Sequence, residues 1–377
     1  MLRLAPFNLQ FNSTLMMLHS KKKFRVIGIM SGTSLDGVDI ALCQFKLKKK
    51  TWYFSIEHTM TAHYPSSWER KLSQAHLFSG NDLLLIHQEY GKYLGELCFS
   101  FIKKNSIKNI DLIASHGHTI FHQPSNGITF QLGNGNAIYA VTKIPVAYDF
   151  RSLDIALGGQ GAPLVPIGDR LLFSEFDYCL NLGGIANISF ENKHERKAFD
   201  ICFCNMALNY LAAKLKKPFD ENGVIASSGK MNEPLRKKIE SIYKTFRKTR
   251  PSLAREQFEN EVKKIIDNNS ISVADRLRTV CESIAHEIAD CISKKKKKSK
   301  ILITGGGAHN RFLIQLIQTK LEPSKIIIPD KTIIDFKEAL IFAFLGVLKC
   351  KGKINVLKSA TGATADSSSG VIVGIGE

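Results

Sequence analysis

Two stretches of this 377-residue chain repeat one pattern: an apolar, β-branched run, a turn of glycine and small polar residues, and a second apolar run. The first passes from Phe24–Ile29 through Ser31-Gly32-Thr33-Ser34-Leu35-Asp36-Gly37 into Val38–Phe45. The second passes from Tyr178–Leu182 through Gly183-Gly184-Ile185-Ala186-Asn187 into Ile188–Phe190. Apolar runs flanking such a cluster predict β-hairpins, because glycine and Asx residues accept the backbone angles that reverse a chain. Thr51–Thr59 predicts a third strand of the first meander. One hairpin in each half predicts two domains built on the same plan, and the length is also too great for one compact core.

Between the hairpins, Leu83–Lys103 carries apolar residues at helical spacing. Asp111–Ala114 predicts a short buried strand that ends at Ser115-His116-Gly117-His118, and Val146–Asp149 another that leads to a glycine loop at Gly158–Gly161. Lys197–Ile201 predicts a strand feeding Asn205, a candidate N-cap for a helix reaching Leu215. Residues 231–300 read as helical and polar. Ile301–Thr304 enters Gly305-Gly306-Gly307 before a helix at Asn310–Lys320, and Glu338–Lys349 reads as a further apolar helix. Strands alternating with helices, with hairpins recurring, predict a mixed α/β fold rather than an all-parallel one.

Composition narrows the function classes. Apolar residues make up 44% and charged residues 23% of the chain, an ordinary globular balance. No apolar run approaches the roughly 20 residues that cross a bilayer, so no membrane partner is expected. Met1–Ser20 is mildly apolar and is followed by Lys21-Lys22-Lys23, the reverse of the order in an export signal. Residues 1–23 are expected to form an extension without fixed structure, with Met16 or Met17 as alternative starts. The eight cysteines show no metal or redox spacing and sit mostly in apolar stretches, which fits a reducing, cytoplasmic setting. The net charge of +18 is concentrated in Lys46 with Lys48–Lys50 and in Lys294–Lys298, runs without interleaved aromatics. They read as solvated loops, and no nucleic-acid partner is expected.

Several residues suggest chemistry. A turn of Gly, Ser and Thr exposes backbone N–H groups that can wrap phosphate oxygens, with Asp36 or Asp39 close enough to hold Mg²⁺. The same turn also fits a plain hairpin with Asx chemistry. It is not a P-loop, since it lacks the Gly-Lys-Ser/Thr ending that opens a helix. Gly183-Gly184 admits the same two readings. Gly305-Gly306-Gly307 fits either a close backbone approach to a base or ribose, or a tight strand-to-helix connection. Three such turns together favour a nucleotide. Asp149, Asp154 and Asp200 follow strands or open helices near these turns. Asp200 lies between Phe199 and Ile201, where burial raises a carboxyl's proton affinity and suits it to general-base work; a structural cap or ion pair is the alternative. His116 and His118 supply too few ligands for a zinc site and suit a substrate hydroxyl or a backbone partner.

Taken in order, these residues resemble the anhydro-N-acetylmuramic acid kinase family. The match opens with Val26–Asp39 and continues through Ser115-His116-Gly117-His118-Thr119, His122-Gln123-Pro124 and Gln131-Leu132-Gly133. It includes Asp149-Phe150-Arg151, Asp154, Gly158–Pro166, Leu182–Asn187 and Phe199-Asp200. It ends with Thr304–Asn310, Glu338-Ala339-Leu340 and Thr361-Gly362-Ala363, collinear over roughly residues 24–374. The resemblance implies a two-domain actin-like ATPase (ribonuclease H-like) fold with the nucleotide in a cleft between the domains. Domain I is expected at residues 24–145 plus 355–377, and domain II at 146–354.

The resemblance also implies the reaction. ATP, with Mg²⁺, phosphorylates O6 of a 1,6-anhydro amino sugar from cell-wall recycling as water opens the ring. By match to the family's Phe-Asp motif, Asp200 is the base, with Asp149 and Asp154 as further catalytic candidates. The nucleotide side comprises Gly32, Thr33, Ser34, Leu35, Asp36, Gly37, Val38, Asp39, Gly183, Gly184, Gly305, Gly306 and Gly307, with Asp36 on the metal. The sugar side comprises His116, Gln131, Arg151, Gln160, Asn205 and Glu338. Arg151 suits the lactyl carboxylate or a phosphate through its planar fork, and Glu338 a sugar hydroxyl. A homodimer is implied as well. Two segments depart from the family pattern. Ile201-Cys202-Phe203-Cys204-Asn205 stands where the family has Thr-Gly-Pro-Gly-Asn, and Pro251-Ser252-Leu253-Ala254-Arg255-Glu256 where it has Lys-Ser-x-Gly-Arg-Glu. The first touches the base, and the second is expected to be peripheral. The alternatives are a kinase of this fold for another sugar, or a silent relative that binds nucleotide or muropeptide.

Overall fold

The computed structural model describes residues 19–32, 35–250, 252–292 and 298–375. The chain forms two compact units, one of residues 1–172 with 338–377 and one of 173–337.

In the first unit, β1 (Lys23–Ser31), β2 (Val38–Lys48) and β3 (Thr51–Ala62) form an antiparallel meander. On the other side of β1, β4 (Leu112–Gln123) and then β6 (Val146–Tyr148) add in parallel. β5 (Ile128–Leu132) hangs from β4, and the last strand, β12 (Val371–Val373), pairs antiparallel with β6. β1 is apolar on both faces because both are covered. Ile27 and Ile29 pack toward Tyr90, Leu94 and Phe101 of the helix Gly80–Lys104. Gly28 meets the helix Lys331–Cys350 so closely that a Cβ would lie 1.9 Å from the Ala339 carbonyl oxygen. Phe344 of that helix lies 5.3 Å from the Phe45 ring and 5.2 Å from Trp52.

The second unit repeats the plan. β7 (Tyr178–Leu182), β8 (Ile185–Asn192) and β9 (Glu195–Phe203) form the meander, and β10 (Lys300–Thr304) and β11 (Lys325–Ile327) add in parallel beyond β7. The strand orders β6-β4-β1-β2-β3 and β11-β10-β7-β8-β9 correspond strand for strand. The duplication inferred from the two hairpins is therefore present in the topology.

Four expectations change. β6 pairs with β4 in the first sheet, so residues 146–172 belong with the first unit and not with the second, as does the helix from Glu338 onward. The pairing edge of β4, which a hydrophobic pattern does not show, decides this. β4 continues through His116-Gly117-His118, which are strand residues and not a loop. Residues 231–300 are helical but not polar throughout. Leu235, Ile239, Tyr243 and Phe246 on Glu233–Thr249, and Leu277, Cys281, Ile284 and Ile288 on Val273–Ile292, supply the core beneath β9. Residues 1–18 lie outside the described residues, but Lys21–Lys23 are held. Lys351 Nζ donates to the carbonyls of His19 (2.7 Å) and Lys21 (3.0 Å), and Leu47 N–H donates to the Lys22 carbonyl at 2.9 Å. Met16, Met17 and Lys294–Lys297 also lie outside the described residues.

Candidate active site

Pairing of β1 with β2 runs to Ser31 opposite Val38 and leaves Gly32–Gly37 as the turn. Thr33 and Ser34 lie outside the described residues. Gly37 has a φ of 146°, and a Cβ there would come within 2.6 Å of the Ala62 carbonyl oxygen, so the end of β3 requires glycine. His63 Nδ1–H donates to the Asp36 carbonyl at 2.9 Å, and Thr61 Oγ1 donates to Asp39 Oδ1 at 2.6 Å. Asp39 is thus tied into the sheet, while the Asp36 side chain is exposed. Val38 is fully buried and Leu35 packs on the core, so their side chains support the turn from behind.

Beneath the turn lies a polar network that the sequence reading missed. Ser31 Oγ is 2.6 Å from Tyr64 Oη and 2.9 Å from His118 Nδ1; Tyr90 Oη donates to Ser31 Oγ at 2.9 Å and lies 2.6 Å from Tyr64 Oη. All four groups are buried. Burial pushes the two tyrosine hydroxyls up and His118 down to about 4. Neutral His118 then accepts at Nδ1, and each hydroxyl of the network finds a partner.

At the middle of β4, His116 Nδ1–H donates to the Gly117 carbonyl at 2.8 Å, which leaves Nε2 as an acceptor. Arg151 uses that lone pair, placing Nε at 3.0 Å and Nη2 at 2.9 Å, and its Nη1 donates to the Gly161 carbonyl at 2.6 Å. Burial, then the Arg151 charge, holds His116 well below the usual imidazole range. Burial lowers Arg151 itself to about 10, opposed by the carboxylates of Glu338 and Asp154. Both ring nitrogens of His116 are therefore engaged within the protein, and it orients Arg151 instead of facing a sugar hydroxyl.

The carboxylates sort by surroundings. Asp154 is sealed from solvent; Oδ1 accepts from Thr361 Oγ1 at 2.7 Å and Oδ2 from Gly161 N–H at 2.8 Å. Oδ2 holds the Gly158–Gly161 loop and Oδ1 is taken by Thr361, which is scaffolding geometry and not that of a base. Asp149, at a φ of 56°, accepts from Ser152 Oγ at 2.5 Å. It lines a cavity of about 140 Å³ with His87, Ser115, His116, Gln131 and Tyr148. Gln131 Nε2 donates to Thr129 Oγ1 at 2.8 Å at the rim. Gln160 and Glu338 are exposed.

In the second unit, Gly183-Gly184 opens the turn of β7–β8, whose last pair is Leu182 opposite Ala186. Its carbonyls accept from the N–H groups of Cys204 (Gly184, 2.8 Å), Asn205 (Gly183, 3.1 Å) and Met206 (Gly184, 3.1 Å). The turn thus satisfies the start of the helix Asn205–Ala213, and Asn205 is its first residue, not its N-cap. Asn205 Nδ2 donates instead to the Leu182 carbonyl at 2.9 Å. Gly305, at a φ of 82°, passes the end of β7 so closely that a Cβ would lie 2.9 Å from the Leu182 carbonyl carbon. A Cβ on Gly307 would lie 2.7 Å from Leu182 Cβ. Close strand-to-strand passage therefore requires glycine here whatever else the turn does. Asp200 is half-buried on β9 beside a bulge at Ile201. Burial raises its pKa, opposed by Leu253 N–H, which donates to Oδ2 at 3.0 Å. Among the described residues, Oδ1 has no hydrogen-bond partner.

The family model for anhydro-N-acetylmuramic acid kinase matches residues 24–374. The chain belongs to the anhydro-N-acetylmuramic acid kinase family. Proteins named anhydro-N-acetylmuramic acid kinase from Sulfurimonas denitrificans and Zymomonas mobilis are each 34% identical to it, over 92% of this chain and 98% of the relative. One from Shewanella frigidimarina is 33% identical over 85% and 90%. Among solved structures, component A of (R)-2-hydroxyglutaryl-CoA dehydratase from Acidaminococcus fermentans is similar at 12% identity. It covers 87% of this chain and 99% of that one, with a TM-score of 0.44. A xylulose kinase from Lactobacillus acidophilus is similar at 11% identity, covering 91% and 93%, with a TM-score of 0.40. Membership of the anhydro-N-acetylmuramic acid kinase family makes the protein a phosphotransferase that uses ATP. Where the family's tight turn after the Phe-Asp motif is replaced, β9 runs on to Phe203, and Cys202, Phe203 and Cys204 are fully buried. The substituted side chains enter the core, while Asp200 is half-buried beside them.

Proposed function

We propose that the protein phosphorylates 1,6-anhydro-N-acetylmuramic acid at O6 as water opens its anhydro bridge, in recycling of cell-wall sugar. The observation that carries this reading is Asp200: a carboxyl with raised proton affinity, one oxygen held by a backbone N–H and the other without a partner among the described residues. That is the state suited to taking a proton from water. The water oxygen bonds to the anomeric carbon as the anomeric C–O6 bond breaks. O6 bonds to the γ-phosphorus as the bond to ADP breaks, so the phosphoryl group replaces the acid that a glycosidase would supply. Arg151, pre-set by His116, presents the rest of its fork to an anion, the lactyl carboxylate or a phosphate. Asp149, Gln131, Gln160, Asn205 and Glu338 are assigned to the sugar.

The turns Gly32–Asp39, Gly183-Gly184 and Gly305–Gly307 are assigned to ATP. Mg²⁺ would neutralise phosphate charge, and the exposed Asp36 suits an ion that keeps most of its waters. We also read the protein as cytoplasmic and homodimeric, the latter to be checked by light scattering. A coupled assay for ADP release with Mg²⁺ and 1,6-anhydro-N-acetylmuramic acid tests the function. Sugar-dependent release that is lost in Asp200→Asn supports both reaction and base. Release retained in Asp200→Asn moves the base elsewhere, and no release from folded, ATP-binding protein overturns the substrate.

A further inference from the structure

The segment that follows the helix Glu233–Thr249 was expected to be peripheral, yet it touches β9 at Phe199, Asp200 and Phe203. Leu253 N–H donates to Asp200 Oδ2 at 3.0 Å, and the Leu253 side chain is buried in the core of the second unit. Before it, the Arg250 guanidinium lies 4.1 Å from the ring centroid of Phe199, the residue preceding Asp200, and donates from Nη1 to Cys291 Sγ at 3.6 Å. After it, Ala254 N–H is capped by Gln257 Oε1 at 2.7 Å, and the chain turns into Arg255–Gln257. Phe258 is then buried with its ring 5.5 Å from that of Phe203 and 6.0 Å from that of Tyr210. Contacts to Phe199, Asp200 and Phe203 therefore come from one short crossing, and a backbone donor with its own side chain locked in the core has little freedom to move.

We infer that Ser252–Phe258 is a positioning element that holds Oδ2 of Asp200 and leaves Oδ1 to receive the proton of the attacking water. The inference rests on Asp200 as the base. A backbone N–H offered to one carboxylate oxygen stabilises the charged form, so it sets a ceiling on the rise that burial causes. It also chooses the oxygen, and so the direction, from which the proton is taken, which is an orientation effect of the kind that governs attack geometry. The titratable groups around Asp200 are few. The Cys202 thiol lies two residues along β9 and is pushed well up by burial. The Glu287 carboxyl, raised to about 7, acts on that thiol from the helix Val273–Ile292 with Arg247 against it. The Arg250 guanidinium faces Phe199.

Leu253→Pro removes the donor while keeping an apolar side chain, and Phe258→Leu keeps the donor but loosens the segment. The readouts are the pH profile of kcat/KM and a carbon-detected NMR titration of the Asp200 carboxyl in the full-length protein. Leu253→Pro is expected to lower kcat by roughly tenfold and to move the acid limb and the carboxyl titration upward by about one pH unit. Phe258→Leu is expected to move both less, in the same direction, with KM for ATP unchanged. A folded variant of either kind whose carboxyl titrates as in the wild type overturns the inference. Turnover retained in Asp200→Asn overturns the base itself, and the carboxyl titration still reports whether the segment holds it.

Discussion

Nε2 of His116 accepts from two nitrogens of Arg151, at 3.0 and 2.9 Å, while Nδ1–H is spent on the Gly117 carbonyl. One strand residue thus fixes the tilt of a guanidinium carried on a different segment of the chain, and it can do so only while neutral. With the fork on the lactyl carboxylate, His116→Ala and Arg151→Ala should each raise KM for the sugar by about tenfold or more, the scale of one charge-assisted hydrogen bond; a rise in KM for ATP instead would place the fork on a phosphate. Because His116 acts through Arg151, the double variant should be no worse than Arg151→Ala. Additive losses in steady-state kinetics would give His116 its own contact with substrate.

Arg151→Lys should behave almost as poorly as Arg151→Ala. An ammonium cannot reach the His116 lone pair and the Gly161 carbonyl from one plane. Recovery of the wild-type sugar KM in the lysine variant would mean that charge alone suffices.

Asp154 and Thr361 hold the glycine loop from inside. Asp154→Ala strands the Thr361 hydroxyl and the Gly161 N–H in a sealed site. It should cost about 2–4 kcal/mol in denaturant unfolding. Asp154→Asn keeps the shape and should cost less. A variant of full stability and no activity would restore Asp154 to the list of catalytic candidates.

Ser31→Ala should destabilise by about 1–3 kcal/mol, since Tyr64, Tyr90 and His118 all lose a buried partner. Ser31 also ends β1 just before the first turn. The same variant should therefore raise KM for ATP, measured alongside the melting temperature.

His116 and His118 make stability depend on pH. Both have folded-state pKa values below the ordinary 6.5, His118 at about 4. Between pH 6.5 and 4 the unfolded chain binds more protons than the folded one, so stability falls as pH falls through that window. His118 alone accounts for about 3 kcal/mol across it at ~1.4 kcal/mol per unit. His118→Gln should flatten urea-unfolding free energies over this range; an unchanged slope would place the proton elsewhere.

Much of this molecule was legible in the sequence. Local pattern alone set the two hairpins, their glycine turns and a helix over Leu83–Lys103, because strand and helix periods and turn chemistry are properties of neighbouring residues. The order of motifs was enough to indicate the family, and the apolar neighbours of Asp200 already implied a raised proton affinity. What lay beyond it involved partners far apart in sequence. The membership of β6 in the first sheet depended on the free edge of β4. Arg151 and His116 meet across 35 residues, Asp154 and Thr361 across 207, and Leu253 and Asp200 across 53. Asp149, Asp154 and Asp200 look alike in sequence. Only the tertiary structure separates a sealed scaffold from a cavity wall and from a carboxyl with one free oxygen, because a carboxylate's chemistry is set by which donors and how much water the fold leaves around it.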